Sequence, residues 1–131
     1  MLRRTTAAVL AAACGLVLLS ACHAGMKRPA QVTPVNVALG DSLFNTGGCQ
    51  RCHGKGGVGA ANAPALDGKK WLQLQKGSYE EIVKIITDGV PQASIKDPSH
   101  KFAMRARGGP MNLSDAQVQA VAAYVWTLSH K

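Results

Sequence analysis

A five-residue motif, Cys49-Gln50-Arg51-Cys52-His53, constrains this sequence more than any other feature. Two cysteines three positions apart, followed at once by a histidine, form the pattern through which haem is attached covalently. Each thiol can form a thioether with one haem vinyl group, and the adjacent imidazole is then held beneath the iron. The motif therefore predicts one covalently attached haem c, with Cys49 and Cys52 as attachment points and His53 as an axial iron ligand.

Two other uses of a Cys-x-x-Cys pair fit this sequence less well. A zinc site usually needs a second ligand pair, and the other two cysteines, Cys14 and Cys22, lie in the N-terminal segment. A thioredoxin-like pair follows a strand, whereas Gly47 and Gly48 precede this pair and no strand-like run does. Haem attachment is therefore the favoured interpretation.

The N-terminal residues have the pattern of an export signal. Two arginines are followed by an uncharged apolar run over residues 7–19, which is shorter than the roughly 20 residues that a membrane span needs. The next residues, Leu-Ser-Ala-Cys ending at Cys22, are similar to the lipobox of bacterial lipoproteins. Cleavage after Ala24 by an ordinary signal peptidase is the alternative. We predict a lipoprotein-type signal peptide over residues 1–21 and a periplasmic protein that is lipid-anchored to the membrane at Cys22.

The charge balance favours acidic partners. The chain has 15 basic and 7 acidic residues, and loss of the two arginines in the signal segment leaves 13 minus 7, or +6. A basic exported protein is typical of one that meets acidic redox proteins or an anionic membrane surface. Export argues against nucleic acid as a partner. The chain has only 2 Phe, 2 Trp and 2 Tyr, so a haem is expected to supply much of the core.

The folded part is predicted to be a single domain over residues 35–131. Residues 22–34 lack apolar periodicity and contain Pro29 and Pro34, which is typical of a tether between an anchor and a folded domain. About 100 residues are enough for one domain. Organised structure is expected to begin at Val35.

Capping and periodicity signals indicate an all-α domain. The sequence predicts three main helices and one short one, over residues 35–46 and 69–74, from Ser78 to Asp88, and from Ser114 onward. Ser78 and Ser114 each precede a Glu or Gln by three residues, which is the capping box that begins a helix. The glycine-rich residues 54–66 and residues 91–102 are expected to be loops.

Several motifs in residues 35–131 together resemble those of class I c-type cytochromes. They are Gly40 with Phe44, Cys49-x-x-Cys52-His53-Gly54, Ala63-Pro64-Ala65-Leu66, Met104 to Gly109, and Leu113-Ser114-Asp115 with Ala123-Tyr124-Val125. The resemblance implies that the first and last helices cross around one haem, with Gly40 at the crossing. It also implies that the backbone carbonyl of Pro64 accepts a hydrogen bond from Nδ1 of His53.

The resemblance implies a methionine as the sixth iron ligand, and two methionines are available. Met104 precedes a loop with two glycines that can reach the iron, whereas Met111 lies two residues before Leu113 at the start of the last helix. Met104 is favoured and Met111 is the alternative. The family usually has proline directly after the ligand methionine, whereas Arg105 follows Met104 here, so we expect a looser loop.

Three further side chains have two interpretations each. His100 and His130 can ligate iron, but each is interpreted as a lone surface histidine. Trp71 can donate a hydrogen bond to a haem propionate or can pack in the core. None of the three displaces the methionines as the favoured ligands.

The predicted function is electron transfer and not catalysis. Two axial ligands leave no open iron position, so we expect a mono-haem carrier of single electrons between redox partners, a dehydrogenase donor and an oxidase or other acceptor. A peroxidase-like haem enzyme or a gas-binding sensor is the alternative, and each needs an open distal site. Four basic residues near the motif are predicted to help dock an acidic partner, namely Arg51, Lys55, Arg105 and Arg107. The alternative is a solvated surface on which one arginine binds a haem propionate.

Overall fold

A computed structural model describes residues 27–100 and 102–131, and in these ranges the chain forms four α-helices and no β-strand. The helices are α1 (Pro34–Thr46), α2 (Cys49–His53), α3 (Tyr79–Asp88) and α4 (Asp115–Ser129). Short 3₁₀ turns lie between them at Lys55–Gly57, Gln92–Ser94 and Ala106–Met111. The predicted all-α class is confirmed. The predicted signal peptide (1–21) and Cys22 lie outside the described residues, and no described helix has the length and apolarity needed to cross a bilayer.

The caps that the sequence predicts are formed. The Ser78 hydroxyl accepts from the Glu81 backbone N–H, and the Glu81 carboxylate accepts from the Ser78 N–H at 3.1 Å. Ser114 and Gln117 make the same reciprocal pair at the start of α4. Thr33 caps α1 in the simpler way, through its hydroxyl alone. Because each cap satisfies backbone groups that the helix leaves free, the residues that begin each main helix are fixed locally.

Helices α1 and α4 touch through their backbones at Gly40. A Cβ atom added to Gly40 would overlap the carbonyl oxygen of Ala120 and lie 2.9 Å from Cβ of Tyr124. One turn later the ring of Phe44 packs on the ring of Tyr124, with 5.4 Å between centroids. The predicted close approach at Gly40 is confirmed. It fixes the end of α1, and therefore the residues that follow it, against α4.

Replacing Gly40 by alanine is expected to destabilise the protein by about 2 kcal/mol, because the added methyl group meets backbone that cannot move aside. Helix propensity alone predicts the opposite, a gain of about 1 kcal/mol. Chemical unfolding of the holoprotein measures the difference, with the exposed Ser42→Ala as the control on the same helix. A Gly40→Ala variant as stable as the wild type would show that the two helices can separate at no cost.

The folded domain begins before the predicted boundary at Val35. Val32 is only 3% exposed and belongs to the core, and its N–H donates to the Pro29 carbonyl at 3.0 Å. The Arg28 guanidinium lies 6.0 Å from the centre of the Trp126 ring on α4. The described part of the predicted tether is therefore packed on the domain. Because Val32 is a single apolar residue between Pro29 and Pro34, it gives no periodic pattern, and the predicted boundary therefore falls after it.

The prediction of a short helix over residues 69–74 is wrong. This segment forms a series of bends, between Gly68 and Gly77, which both have positive φ angles of 76° and 69°. A stretch this short cannot offset the cost of starting a helix without tertiary support. Trp71 packs against the edge of the core, and a Cβ added to Gly77 would overlap its Nε1. The packing interpretation of Trp71 therefore fits the structure.

Candidate haem site

The two cysteines of the motif lie on one short helix directly after the end of α1. Cys49 and Cys52 are the first and fourth residues of α2, a spacing that places their side chains on the same face. Both thiols are free and partly buried. Burial raises the pKa of the Cys49 thiol, so this thiol is held in its neutral form. The helix thus presents two thiols side by side, as two thioether bonds to one haem require.

The imidazole of His53 is oriented by the loop that follows it. Its Nδ1 lies 2.9 Å from the backbone carbonyl oxygen of Pro64, the contact that the resemblance implies. A carbonyl only accepts hydrogen bonds, so Nδ1 carries the proton and the lone pair of Nε2 is free to bind a metal. Burial lowers the pKa of His53, although the bond to Pro64 acts in the opposite direction. The neutral, metal-binding form is therefore favoured.

The glycine-rich loop returns the chain to His53. The Gly59 N–H donates to the His53 carbonyl at 2.6 Å, and the Leu66 N–H donates to the Gly57 carbonyl at 2.8 Å. Gly59 has a φ of 89°, and a Cβ there would lie 2.7 Å from the backbone nitrogen of Ala65. This close turn brings Pro64 to the imidazole, so glycine at position 59 serves the geometry of the haem site.

The two candidate methionines have different surroundings. Met104 pairs with Val90 through two backbone hydrogen bonds of 2.8 and 3.0 Å, and its side chain packs partly buried at the edge of the core. The Met111 sulfur accepts a hydrogen bond from the Gly48 N–H at 3.2 Å. A Cβ added to Gly47 would overlap that sulfur. Met111 is therefore packed against the backbone that leads into Cys49, a contact that no sequence signal indicated.

Arg107 fastens the loop after Met104 to the start of α4. Its guanidinium donates to the Leu113 carbonyl at 2.9 Å and lies 2.8 Å from the Asp115 carboxylate. The Arg107 carbonyl in turn accepts from the Leu113 N–H at 3.0 Å. Its predicted docking role is therefore corrected, because the guanidinium is used within the chain. The other three predicted docking residues, Arg51, Lys55 and Arg105, are exposed.

The prediction that His100 and His130 are lone surface histidines is wrong. His100 lies 3.0 Å from the Asp97 carboxylate, with 17% of its side chain exposed. His130 stacks on Trp126, with 4.2 Å between the ring centres. Hydrogen bonds from Ser99, and then from His100, lower the pKa of Asp97 to about 2, so this carboxylate is ionised at neutral pH. The Asp-x-x-His spacing was the only available sequence signal for the first pair.

The donor set fits a covalently bound haem better than another metal site. Two neighbouring thiols and an imidazole with a free Nε2 are the groups that haem c needs from its motif. An open cleft lies next to Pro64, between the glycine-rich loop and residues 97–100. Among residues 27–100 and 102–131, no three His, Cys, Asp or Glu side chains are grouped to hold a metal ion. A structural zinc site, which needs four ligands, is therefore not supported within these ranges.

A paired-thiol and histidine site on an all-α domain defines a protein that carries covalently attached haem c. The chain matches the family model described as Cytochrome c over residues 37–129, which is more than half of its length. The chain therefore belongs to the cytochrome c family. This confirms the predicted class and its haem c.

Curated relatives agree with this assignment. The chain is similar to the cbb3-type cytochrome c oxidase subunit FixP, with 32% identity to that of Bradyrhizobium sp. (strain ORS 278) over 86% of this chain and 37% of the relative. It is 40% identical to FixP of Azorhizobium caulinodans over 62% of this chain and 26% of the relative. The chain thus spans less than two fifths of the length of these curated relatives.

Solved structures show the same fold. Cytochrome cL from Methylophaga aminisulfidivorans MPT matches with a TM-score of 0.56 and 21% identity, over 76% of this chain and 60% of that one. The c-type cytochrome XoxG from Methylobacterium extorquens AM1 matches with a TM-score of 0.50 and 25% identity, over 72% of this chain and 51% of that one. These similarities support the class I cytochrome c fold.

Proposed function

We propose that this protein carries single electrons between redox proteins at the bacterial cell envelope, with His53 and Met104 as the axial iron ligands. The observation that carries the proposal is the Nδ1 contact of His53 with Pro64, which leaves only Nε2 for the iron. A thioether on the other side leaves no position for a substrate, so the iron changes only its oxidation state. The FixP relatives are oxidase subunits by name, which supports an oxidase as the electron acceptor.

Met104 is the better sixth ligand because the sulfur of Met111 already has a partner. Binding of iron by Met111 would break its contact with the Gly48 N–H and open the packing at Gly47. The backbone of Met104 is held firmly, because its N–H and its carbonyl both form hydrogen bonds with the backbone of Val90. Its thioether can therefore be presented to the iron without disturbing the backbone that leads into the motif.

The purified holoprotein tests the prediction that both axial positions of a low-spin iron are filled. We expect a reversible one-electron titration and no binding of carbon monoxide by the reduced protein at neutral pH, because both axial positions are filled. Methionine ligation is expected to give a sulfur-to-iron charge-transfer band in the ferric spectrum. Rapid binding of carbon monoxide would instead support the gas-sensor or peroxidase-like alternative.

We also propose that Cys22 is the lipidated first residue of the mature protein. The support is the Leu-Ser-Ala-Cys run at the end of an export signal. Several acyl chains on one cysteine anchor a protein far more firmly than a single chain does. Mass spectrometry of the mature N-terminus is expected to find an acylated Cys22. A mature chain that begins at Gly25 would mean that the protein is free in the periplasm.

The exposed basic residues near the motif are proposed to dock an acidic redox partner. Arg51 lies between the two haem-binding cysteines, Lys55 follows His53 by two residues, and Arg105 follows Met104. We expect electron-transfer rates to fall as ionic strength rises, because salt screens surface charge over about 10 Å at 0.1 M. Lys55→Ala should reduce this salt dependence.

The control for this prediction is Lys84→Ala, which removes the same charge from α3. Lys84 is paired with Asp88 at 2.6 Å on the exposed side of that helix. The Lys84→Ala variant is expected to keep the salt dependence of the wild type. Equal effects of the two substitutions would mean that only net charge matters, and a rate that does not change with salt would contradict docking through charge.

A further inference from the structure

The side chain of Asn45 joins three parts of the chain. Its Oδ1 accepts a hydrogen bond from the Gly56 N–H at 2.8 Å, in the turn that follows the haem motif. Its Nδ2 donates to the Asp41 carboxylate at 2.6 Å and to the Tyr124 hydroxyl of α4 at 3.2 Å. Asn45 itself lies in the last turn of α1 and is half-buried. One amide therefore connects both crossing helices with the loop beside His53.

The chemistry of the partners fixes the orientation of this amide. A backbone N–H only donates and a carboxylate only accepts, so the oxygen of Asn45 faces Gly56 and its nitrogen faces Asp41. Exchanging the two amide atoms would lose both bonds. The position therefore needs a side chain that offers a donor and an acceptor together, which an aliphatic side chain does not.

The bond to Gly56 acts on His53 through the next residues of the loop. The carbonyl of Gly57 accepts from the N–H of Leu66 at 2.8 Å, and Leu66 lies two residues after Pro64. The Pro64 carbonyl in turn lies 2.9 Å from Nδ1 of His53. Because glycine has more conformational freedom than any other residue, a turn that contains Gly56 and Gly57 holds its shape only if something restrains it. Asn45 supplies such a restraint at Gly56.

We propose that Asn45 is a positioning residue for the axial ligand His53, because its amide fastens the loop that carries Pro64 to the crossing of α1 and α4. This inference rests on the proposed binding of iron by His53. The groups that hydrogen-bond to a metal-binding histidine fix the orientation of its ring and raise its basicity. Packing supports the same loop, since a Cβ added to Gly57 would lie 2.8 Å from Cδ1 of Leu128 on α4. Asn45 adds the polar contact.

The test measures how fast the Nδ1 proton of His53 exchanges with deuterium in the full-length holoprotein. This proton exchanges when its bond to Pro64 opens, and NMR resolves it because the haem shifts its resonance. Asn45→Leu removes the acceptor for the Gly56 N–H. We expect this variant to exchange about tenfold faster than the wild type, because a partly buried N–H loses its partner. If the variant yields little holoprotein, Asn45→Ala, which loses the same bonds, is measured in its place.

Two further variants separate positioning from a general loss of stability. Tyr79→Phe removes another side-chain hydrogen bond to α4, from the Tyr79 hydroxyl to the Gln119 carbonyl at 3.1 Å. It is expected to leave the exchange of the His53 proton unchanged. The double variant Asp41→Asn, Asn45→Asp swaps the two side chains, so position 45 again offers an oxygen to Gly56 and the net charge stays the same. This swap is expected to restore the wild-type rate.

Other results would overturn the inference. If Asn45→Leu exchanges at the wild-type rate, the loop does not depend on the amide. If Asn45→Leu and Tyr79→Phe speed exchange equally, the effect is one of overall stability. If the swapped pair exchanges as fast as Asn45→Leu, an acceptor for Gly56 is not what holds the loop. If the wild type lacks a haem-shifted Nδ1 proton from His53, then His53 does not bind the iron, and the proposed ligation fails together with this inference.

Discussion

Serine at both Cys49 and Cys52 is expected to abolish covalent haem attachment and to remove most of the folded protein. Each thioether needs its sulfur, and the serine hydroxyl does not form the bond. Cys49 also packs at the edge of the core, and the core has few aromatic residues to replace the apolar area that haem supplies. Small domains with thin cores often depend on a covalent or metal link for stability.

Acid-acetone extraction measures this effect directly. Haem is expected to stay with the wild-type protein and to be extracted completely from whatever holoprotein the double variant yields. Cys22→Ser is the matched control, because it removes a cysteine that lies outside the haem motif. That variant should keep its haem. Extraction of haem from the wild type would contradict covalent attachment.

The parts of the fold that the sequence predicted are those set by local chemistry. The capping boxes at Ser78 and Ser114 are formed between residues three apart, so no distant part of the chain is needed to predict them. The close approach at Gly40 was also predictable, because a glycine inside a helix lowers the stability of that helix and is typical of a place where another helix comes close. Haem attachment was also predictable, since five consecutive residues carry the chemistry.

The features that the sequence missed depend on where the fold places side chains, even those that are close in the sequence. Val32 is buried in a core cluster that includes residues of α4, and His100 lies against the carboxylate of Asp97, three residues before it. Arg107 was predicted as a docking residue from its charge alone, whereas its guanidinium bonds to the start of α4. Charge indicates what a side chain can bind but not which partner the fold places within reach.

The loop after Met104 shows the same limit in the candidate site. Proline is absent after this methionine, and the sequence predicted a loose loop. The structure instead holds the loop at two points, by the backbone pair of Met104 with Val90 and by the contacts of Arg107 with Leu113. Hydrogen bonds from the loop to Val90 and to the start of α4 thus provide the restraint that a proline ring would give locally.

Leucine at position 104 is expected to abolish the sulfur-to-iron charge-transfer band and to lower the midpoint potential by on the order of 0.1 V or more. Axial ligands set haem potentials over a range of about 0.8 V, and a thioether favours the reduced iron. Leucine nearly conserves the volume of methionine, so the packing cost should stay below about 1.5 kcal/mol. Loss of the band would then report the missing sulfur and not a damaged fold. The reduced variant should also bind carbon monoxide.

Met111→Leu is the matched control, because it removes the other candidate sulfur at a similar cost in volume. This variant is expected to keep the band and the potential. It should lose only the hydrogen bond from the Gly48 N–H to sulfur, a net contribution to stability of about 1 kcal/mol. The reverse pattern would make Met111 the ligand. If both variants keep the band, the sulfur assignment is wrong. His100, which is half-buried beside the cleft at Pro64, is then the next candidate ligand to substitute.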